Sequence, residues 1–182
     1  MREYFKTSIV LALICAAAAI VLAFLNGVTK PVIIEYEHQK TLNALEAVSN
    51  GFTISEENTL VDDNSFINYY YTLTKDDELQ GYLLNLSAVG YGGTISLVAS
   101  YDEEGKVLQS KVVSDSETPG LGKKSEEDWY MTKYLNVDPV PNSKTQLSSE
   151  DADAISGASI TFTAIGNALL NGSEFVKELG AK

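Results

Sequence analysis

The sequence predicts an α+β protein that begins with one membrane-spanning helix, and three patterns carry this prediction. An uncharged apolar run opens the chain, four strand-like segments follow one another with short turns, and a long helical segment closes it. Strands joined by short turns pair antiparallel, because a parallel pair needs a long crossover connection. We therefore expect an antiparallel sheet with flanking helices behind the membrane segment.

The composition excludes several kinds of functional site. The chain has 182 residues with a single Cys and a single His. These counts exclude an intrachain disulfide, a zinc site built from several Cys or His residues, and an iron–sulfur cluster held by the protein. A net charge of −12 argues against nucleic-acid binding, which needs clustered cations. Any redox carrier must therefore be organic and held without Cys or His.

The apolar run near the N-terminus has the length of a membrane anchor. Residues 7–29 contain no charged side chain, and a span needs roughly 20 helical residues. A cleaved signal peptide has a shorter apolar region of about 7–15 residues, and no small-residue cleavage site follows here. A lipoprotein would acylate Cys15, but Ile14 stands where a small residue is needed. We predict that residues 1–30 form a cytoplasmic tip and an uncleaved transmembrane helix.

The basic residues beside this span predict its direction. Arg2 and Lys6 precede it, and every acidic residue except Glu3 follows it. Basic residues that flank a membrane helix remain on the cytoplasmic side. We expect a single-pass cell-membrane protein whose N-terminus is cytoplasmic and whose C-terminal domain is extracytoplasmic.

The remaining elements follow from changes in hydrophobic period. Residues 31–50 show apolar side chains at helical spacing, which predicts an amphipathic juxtamembrane helix that ends at Asn50-Gly51. Residues 51–182 then form the extracytoplasmic domain, and residues 53–65 form a loop or a weak hairpin. The predicted strands are 66–74, 80–89, 94–101 and 107–113. The predicted helices are 125–135, with Ser125 as its N-cap, and about 161–179.

No familiar catalytic motif is present. The chain has no Gly-x-Gly-x-x-Gly opening a helix after a strand and no Walker loop. A Ser/His/Asp triad would have to use His38, which lies among charged residues on the juxtamembrane helix. We therefore assign no catalytic residue and no metal ligand.

Two segments remain as candidates for a binding site. The first is the loop 115–122, in which Gly120 and Gly122 would let the backbone approach a ligand closely. A purely structural loop is the alternative for this segment.

The second segment, 153–161, places small residues and the hydroxyls of Ser156, Ser159 and Thr161 just before the last helix. Free backbone N–H groups at such a helix end favour a phosphate. An ordinary N-cap is the alternative. No base stands nearby in the sequence to activate a hydroxyl, so a covalent phosphoester would have to be installed by another enzyme.

Together the two segments resemble the FMN-binding domain family, in particular the G subunits of Rnf ion-translocating complexes, which are related to the C subunits of sodium-pumping NADH:quinone oxidoreductases. The family's flavinylation motif, Asp-x-x-Ser/Thr-Gly-Ala-Thr/Ser, corresponds to residues 153–159 here, and Ser-Glu-Thr-Pro-Gly-Leu-Gly of the Rnf type stands unaltered at 116–122. Gly90-Tyr91-Gly92-Gly93 fits as well. The resemblance extends over nearly the whole chain.

The resemblance implies a covalent FMN whose phosphate a flavin transferase esterifies to Ser159. Ser stands here where the Rnf type usually has Thr, which leaves Thr161 as a rival acceptor. The other cofactor-binding residues that the resemblance implies are Ser156, Gly157, Ala158, Glu117, Thr118, Gly120, Leu121, Gly122 and Asp153.

The function that the resemblance implies is electron relay within a membrane-bound ferredoxin:NAD+ oxidoreductase coupled to Na+ or H+ translocation. The chain would be one component of this translocase and not catalytic alone. Its partners would be the other membrane and peripheral subunits, the flavin transferase and membrane lipid. Two alternatives are a stand-alone flavinylated membrane protein that passes electrons to extracytoplasmic acceptors, and an adhesion or assembly domain without a cofactor.

Overall fold

The computed structural model describes residues 2–59 and 66–181 and confirms the α+β class. The chain divides between Lys40 and Thr41 into two compact units. The first unit is helical throughout its described part. The second contains the sheet and the remaining helices.

Helix α1, Arg2–Val48, is longer than the sequence predicted, because it continues through Pro31. A proline inside a helix removes one backbone donor and crowds the carbonyl four residues earlier. That residue is Gly27, whose backbone is the most permissive of any residue. The helix is long and apolar enough to cross a membrane, with a mean hydropathy of 2.9 in its most apolar window. Its large apolar side chains between Ile9 and Ile34 are exposed, which suits a lipid environment.

The sheet contains the four predicted strands and two short additional ones. The strands are β1 Thr53–Ile54, β2 Asn58–Thr59, β3 Ile67–Lys75, β4 Glu78–Val89, β5 Thr94–Tyr101 and β6 Val107–Ser114. Their order is β1-β3-β4-β5-β6, with β2 also on β3, and every pair is antiparallel. The two short strands lie in the segment expected to be a loop or weak hairpin, of which residues 60–65 fall outside the described part.

Both faces of the sheet are covered, and the alternation along β4 shows how. Leu84 and Leu86 point into the larger core, which is closed by helix α4, Ser159–Gly180. Leu83 points to the other face, where it packs with Leu45 and Val48 from the end of α1. Of the other apolar residues of the predicted amphipathic helix, Ile33, Tyr36 and Leu42 are at least half exposed. The buried stripe is therefore confined to the last turns of α1.

Helix α4 approaches the sheet very closely. The Tyr101 hydroxyl donates a 3.1 Å hydrogen bond to the Leu169 carbonyl, and a Cβ atom at Gly172 would lie only 2.2 Å from that hydroxyl oxygen. This contact fixes the helix on the sheet, and with it the position of the helix N-terminus. The helix begins at Ser159, two residues before the predicted start.

The segment between β6 and α4 consists of short helical turns. The predicted helix 125–135 is replaced by a 3₁₀ turn at Gly122–Glu126, helix α2 at Asp128–Met131 and a second 3₁₀ turn at Thr132–Tyr134. The prediction of Ser125 as N-cap was wrong, because Ser125 is buried inside the first turn. Glu127 has an extended backbone and interrupts the helix there. Another 3₁₀ turn, Lys144–Gln146, and helix α3, Ser149–Ala154, complete the chain up to α4.

Candidate functional site

A cleft of about 510 Å³ opens beside the N-terminus of α4. Its volume lies within the range of about 300–1,000 Å³ that is typical of small-molecule sites. We call it the edge cleft; its lining residues are Tyr91, Glu117, Thr118, Leu121, Gly122, Gly157, Ala158, Ser159, Ile160 and Thr161.

The antiparallel topology brings these residues to one edge of the sheet. Strand β4 ends, β5 begins and β6 ends at that edge, so the 90–93 loop and the 115–122 loop lie side by side. Helix α4 presents its N-terminus to the same place. Three segments that are distant in sequence therefore form one cleft.

Glu117 joins all three segments. Its Oε1 accepts a 2.9 Å hydrogen bond from the Gly92 backbone N–H, and its Oε2 accepts a 2.6 Å hydrogen bond from the Thr161 hydroxyl. The side chain is only 3% exposed. A Cβ atom at Gly122 would lie 2.3 Å from Oε2, so glycine is required there by close approach and not by a special backbone angle.

The start of this loop is held by a second acid. Asp115 Oδ1 accepts a 2.8 Å hydrogen bond from the Glu117 backbone N–H and lies 3.4 Å from Lys123 Nζ. The next residue, Lys124, donates to the Ala154 carbonyl at 3.4 Å. The loop is thus tied both to its own following turn and to the end of α3.

An aromatic group lies behind Glu117. Tyr130 is fully buried against Tyr134 and Phe162, which stack with their ring centroids 4.8 Å apart. Burial raises the pKa of Tyr130, and the nearby negative charge of Glu117 raises it further. The Tyr130 phenol therefore stays neutral at physiological pH.

Ser159 and Thr161, the two hydroxyls that the sequence left as rivals, have different surroundings. Thr161 is 1% exposed, and its hydroxyl is engaged by Glu117. Ser159 is half-buried, lines the edge cleft, and has no side-chain hydrogen bond to any described residue. A group in the cleft can therefore reach the Ser159 hydroxyl without breaking an existing contact.

The N-terminus of α4 has no side-chain cap among the described residues; Ala158 stands at the N-cap position. The first α4 N–H bonded within the helix is that of Phe162, which donates to the Ala158 carbonyl at 2.9 Å. The N–H groups of residues 159–161 are the donors that a helix end offers to an anion. The alternative of an ordinary side-chain N-cap in this segment therefore does not describe this helix end.

Three of the residues proposed from the sequence lie outside the lining of the cleft: Asp153, Ser156 and Gly120. The Asp153 carbonyl accepts from the Ser156 N–H at 3.0 Å, which forms the turn before α4. Gly120 has φ +76°, and a Cβ atom there would meet open space. Its glycine is explained by the left-handed backbone rather than by close approach.

Two lining residues were not among those predicted, Tyr91 and Ile160. Tyr91 is 72% exposed and Ile160 is 56% exposed. The available signal for Tyr91 was a large aromatic residue isolated between glycines, where a turn would ordinarily carry a small polar residue.

Residues 90–174 match the family model of the FMN-binding domain. Over this segment the chain is similar to FMN-binding domains. Every residue that lines the edge cleft falls inside the matched segment. The resemblance recognised from the two motifs is therefore confirmed, and helix α1 precedes the matched segment.

The chain is also similar over most of its length to named proteins. It is 29% identical over 176 residues to the G subunit of the ion-translocating oxidoreductase complex of Stutzerimonas stutzeri, covering 91% of this chain and 77% of that protein. It is 25% identical over 158 residues to the G subunit of the proton-translocating ferredoxin:NAD(+) oxidoreductase complex of Clostridium ljungdahlii, covering 85% and 82%. A third relative, the G subunit of the ion-translocating oxidoreductase complex of Methanosarcina acetivorans, is 26% identical over 180 residues, covering 96% of this chain and 95% of that protein. With helix α1, these relatives indicate a membrane protein.

Proposed function

We propose that this protein is the FMN-carrying, electron-relay component of a membrane-bound ion-translocating oxidoreductase of the Rnf type. The FMN-binding domain supplies the cofactor class, and the relatives named as G subunits supply the kind of complex. Ferredoxin and NAD+ would be the electron donor and acceptor of the whole complex, and Na+ or H+ the translocated ion. The chain contributes one redox site and does not complete the reaction alone.

The attachment we propose is a phosphoester between FMN and Ser159. The observation that carries it is the contrast between the two hydroxyls: Thr161 donates to Glu117, whereas Ser159 faces the edge cleft without a partner among the described residues. The N–H groups at the start of α4 would stabilise the phosphate. A flavin transferase would make the bond, because no base stands near Ser159 in the sequence.

The cleft suits the two halves of FMN. The N–H groups at the start of α4, beside Ser159, are donors for a phosphate. Leu121, Ile160 and Tyr91 offer apolar and aromatic surface for a planar ring. Bound FMN supplies the one- and two-electron chemistry, and the chain supplies position and electrostatics. The proposed binding set is therefore Ser159 with Glu117, Thr118, Leu121, Gly122, Gly157 and Ala158, to which we add Tyr91 and Ile160. Asp153, Ser156 and Gly120 shape the adjoining turns.

The proposed topology places α1 across the cell membrane with residues 1–6 in the cytoplasm and the FMN-binding domain outside. We propose the same boundaries as before: residues 1–30 for the cytoplasmic tip and membrane helix, 31–50 for the juxtamembrane helix, and 51–182 for the extracytoplasmic domain. The compact unit that contains the domain begins at Thr41, within α1 and ten residues before the expected boundary at residue 51. Lipid and the other subunits of the complex would be its partners.

The attachment is tested by co-expressing the chain with a flavin transferase and examining a denaturing gel for flavin fluorescence, because only a covalent flavin survives denaturation. We expect a fluorescent band for the wild type, none for Ser159→Ala, and a retained band for Ser159→Thr. Thr161→Ala, which removes the rival hydroxyl outside the motif, is the matched control and should keep most of the band. A band that persists in Ser159→Ala would move the attachment elsewhere, and no band in the wild type would reject the covalent flavoprotein.

Membership of a complex needs a separate experiment. Purification of the tagged full-length chain from its native membrane in a mild detergent should bring other membrane subunits with it. Recovery of the flavinylated chain alone would favour the stand-alone electron carrier.

A further inference from the structure

We infer that Glu117 sets the reduction potential of the flavin by holding an uncompensated negative charge against the edge cleft. The inference rests on the proposed function, since it needs a flavin in that cleft. It assigns to Glu117 an electrostatic role that differs from lining or shaping the site.

The geometry suits an ionised carboxylate. Both oxygens accept hydrogen bonds, one from the Gly92 N–H and one from the Thr161 hydroxyl. An ionised carboxylate only accepts, so it satisfies this arrangement without a proton of its own.

The neighbouring Asp115 has a cation partner, and Glu117 has none among the described residues. The Asp115 carboxylate is fully buried but lies 3.4 Å from Lys123 Nζ, which supplies a compensating charge. Among the described residues no ion pair includes Glu117. Two neutral donors stabilise its charge, yet the unit charge itself is not cancelled. Tyr130 behind it is neutral, as its raised pKa requires.

The consequence for a flavin follows from Coulomb's law. Reduction adds negative charge to a flavin ring, and a fixed negative charge nearby opposes it, more strongly where water is excluded. The Glu117 carboxylate therefore lowers the reduction potential of a flavin in the edge cleft. Removing its charge should raise the potential, and removing a donor that offsets its charge should lower it.

The experiment measures midpoint potentials of the purified, flavinylated full-length protein in detergent by following flavin absorbance during a redox titration. All variants are titrated in the same buffer at about pH 9. Glu117→Gln keeps the size of the side chain and should shift the potential upward. Thr161→Val keeps the shape of its side chain, removes the hydroxyl donor, and should shift the potential downward.

The matched control is Glu104→Gln, which makes the same change in net charge at an exposed position in the β5–β6 hairpin, at the opposite edge of the sheet. Its potential should equal that of the wild type. The fluorescent band in a denaturing gel reports flavin loading for each variant independently of the potential.

The outcomes separate this inference from the proposed function. A loaded Glu117→Gln variant whose potential stays at or below the wild-type value would overturn the inference alone. If Glu117→Gln carries no flavin, Thr161→Val decides, and an unchanged or raised potential overturns the inference. A wild type without flavin overturns both the proposed attachment and this inference.

Discussion

The Thr161 hydroxyl lies 2.6 Å from Oε2 of Glu117, and this buried contact ties the first turn of α4 to the loop that follows β6. It also engages the Thr161 hydroxyl, whereas Ser159 has no side-chain hydrogen bond to any described residue. One hydrogen bond thus bears on both the architecture and the chemistry of the site.

Thr161→Val should lower the free energy of unfolding by about 1–3 kcal/mol, because Oε2 of Glu117 loses its partner while remaining buried. The covalent flavin should be retained. Urea denaturation measures the first effect and gel fluorescence the second. Thr163→Val, two residues further along α4, is the control and should stay within about 0.5 kcal/mol of the wild type. Loss of the flavin band in Thr161→Val would make Thr161 the acceptor.

Gly122→Ala should disrupt the edge cleft, because its Cβ would lie 2.3 Å from Oε2 and 2.8 Å from Cβ of Glu117. We expect a loss of about 1–3 kcal/mol in stability from this overpacking and reduced flavin incorporation. Gly120→Ala is the comparison: its Cβ meets open space, so it should cost only the backbone strain of about 1–2 kcal/mol and keep its flavin. Equal flavin loss in both variants would argue against the close contact as the cause.

Tyr91→Ser should leave the flavin attached but expose its ring, because Tyr91 lines the cleft without being part of the attachment motif. Iodide quenching of the native protein's flavin fluorescence measures this exposure and should become stronger. Stability should change by no more than about 0.5 kcal/mol, since Tyr91 is 72% exposed. Val89→Ser, exposed nearby but outside the cleft, is the control. Unchanged quenching in Tyr91→Ser would remove Tyr91 from the flavin site.

The topology predicts that an engineered cysteine in the FMN-binding domain reacts from outside the cell. Glu104→Cys, at an exposed turn, in a Cys15→Ala background should be labelled in intact cells by an impermeant maleimide. Lys6→Cys should be labelled only after lysis. The reverse pattern would invert the proposed orientation.

The buried tyrosines predict a loss of stability at high pH. Burial raises the pKa of Tyr134 well above its usual value, so the folded state keeps the phenol proton that the unfolded state loses at about pH 10. The contribution of Tyr134 is therefore complete below about pH 10 and declines as the pH rises above it. Urea midpoints at pH 8, 10 and 11 measure the decline. Tyr134→Phe should make the decline shallower, and an equally steep decline in that variant would assign it to other groups.

Much of the fold could be predicted from the sequence because its patterns are local. An uncharged run of this length has few uses other than a membrane span, and the strands β3 to β6 follow from period-2 segments separated by turn residues. The 153–159 and 116–122 motifs were recognisable because they depend on residue identity at fixed spacing. The similarity to FMN-binding domains was therefore visible in the sequence alone.

The arrangement of the site was decided by tertiary structure. Nothing local indicates that Glu117 accepts hydrogen bonds from Gly92 and Thr161, which are 25 and 44 residues away, since those contacts arise only when β4, β6 and α4 meet at one edge of the sheet. The sequence also does not distinguish Gly120 from Gly122. In the structure a Cβ atom at Gly120 would meet open space, whereas one at Gly122 would lie 2.3 Å from Oε2 of Glu117. The sequence by itself determined the membrane helix, the strands and the cofactor class, because residue pattern encodes them; packing decided which hydroxyl is free, because burial is a property of the whole fold.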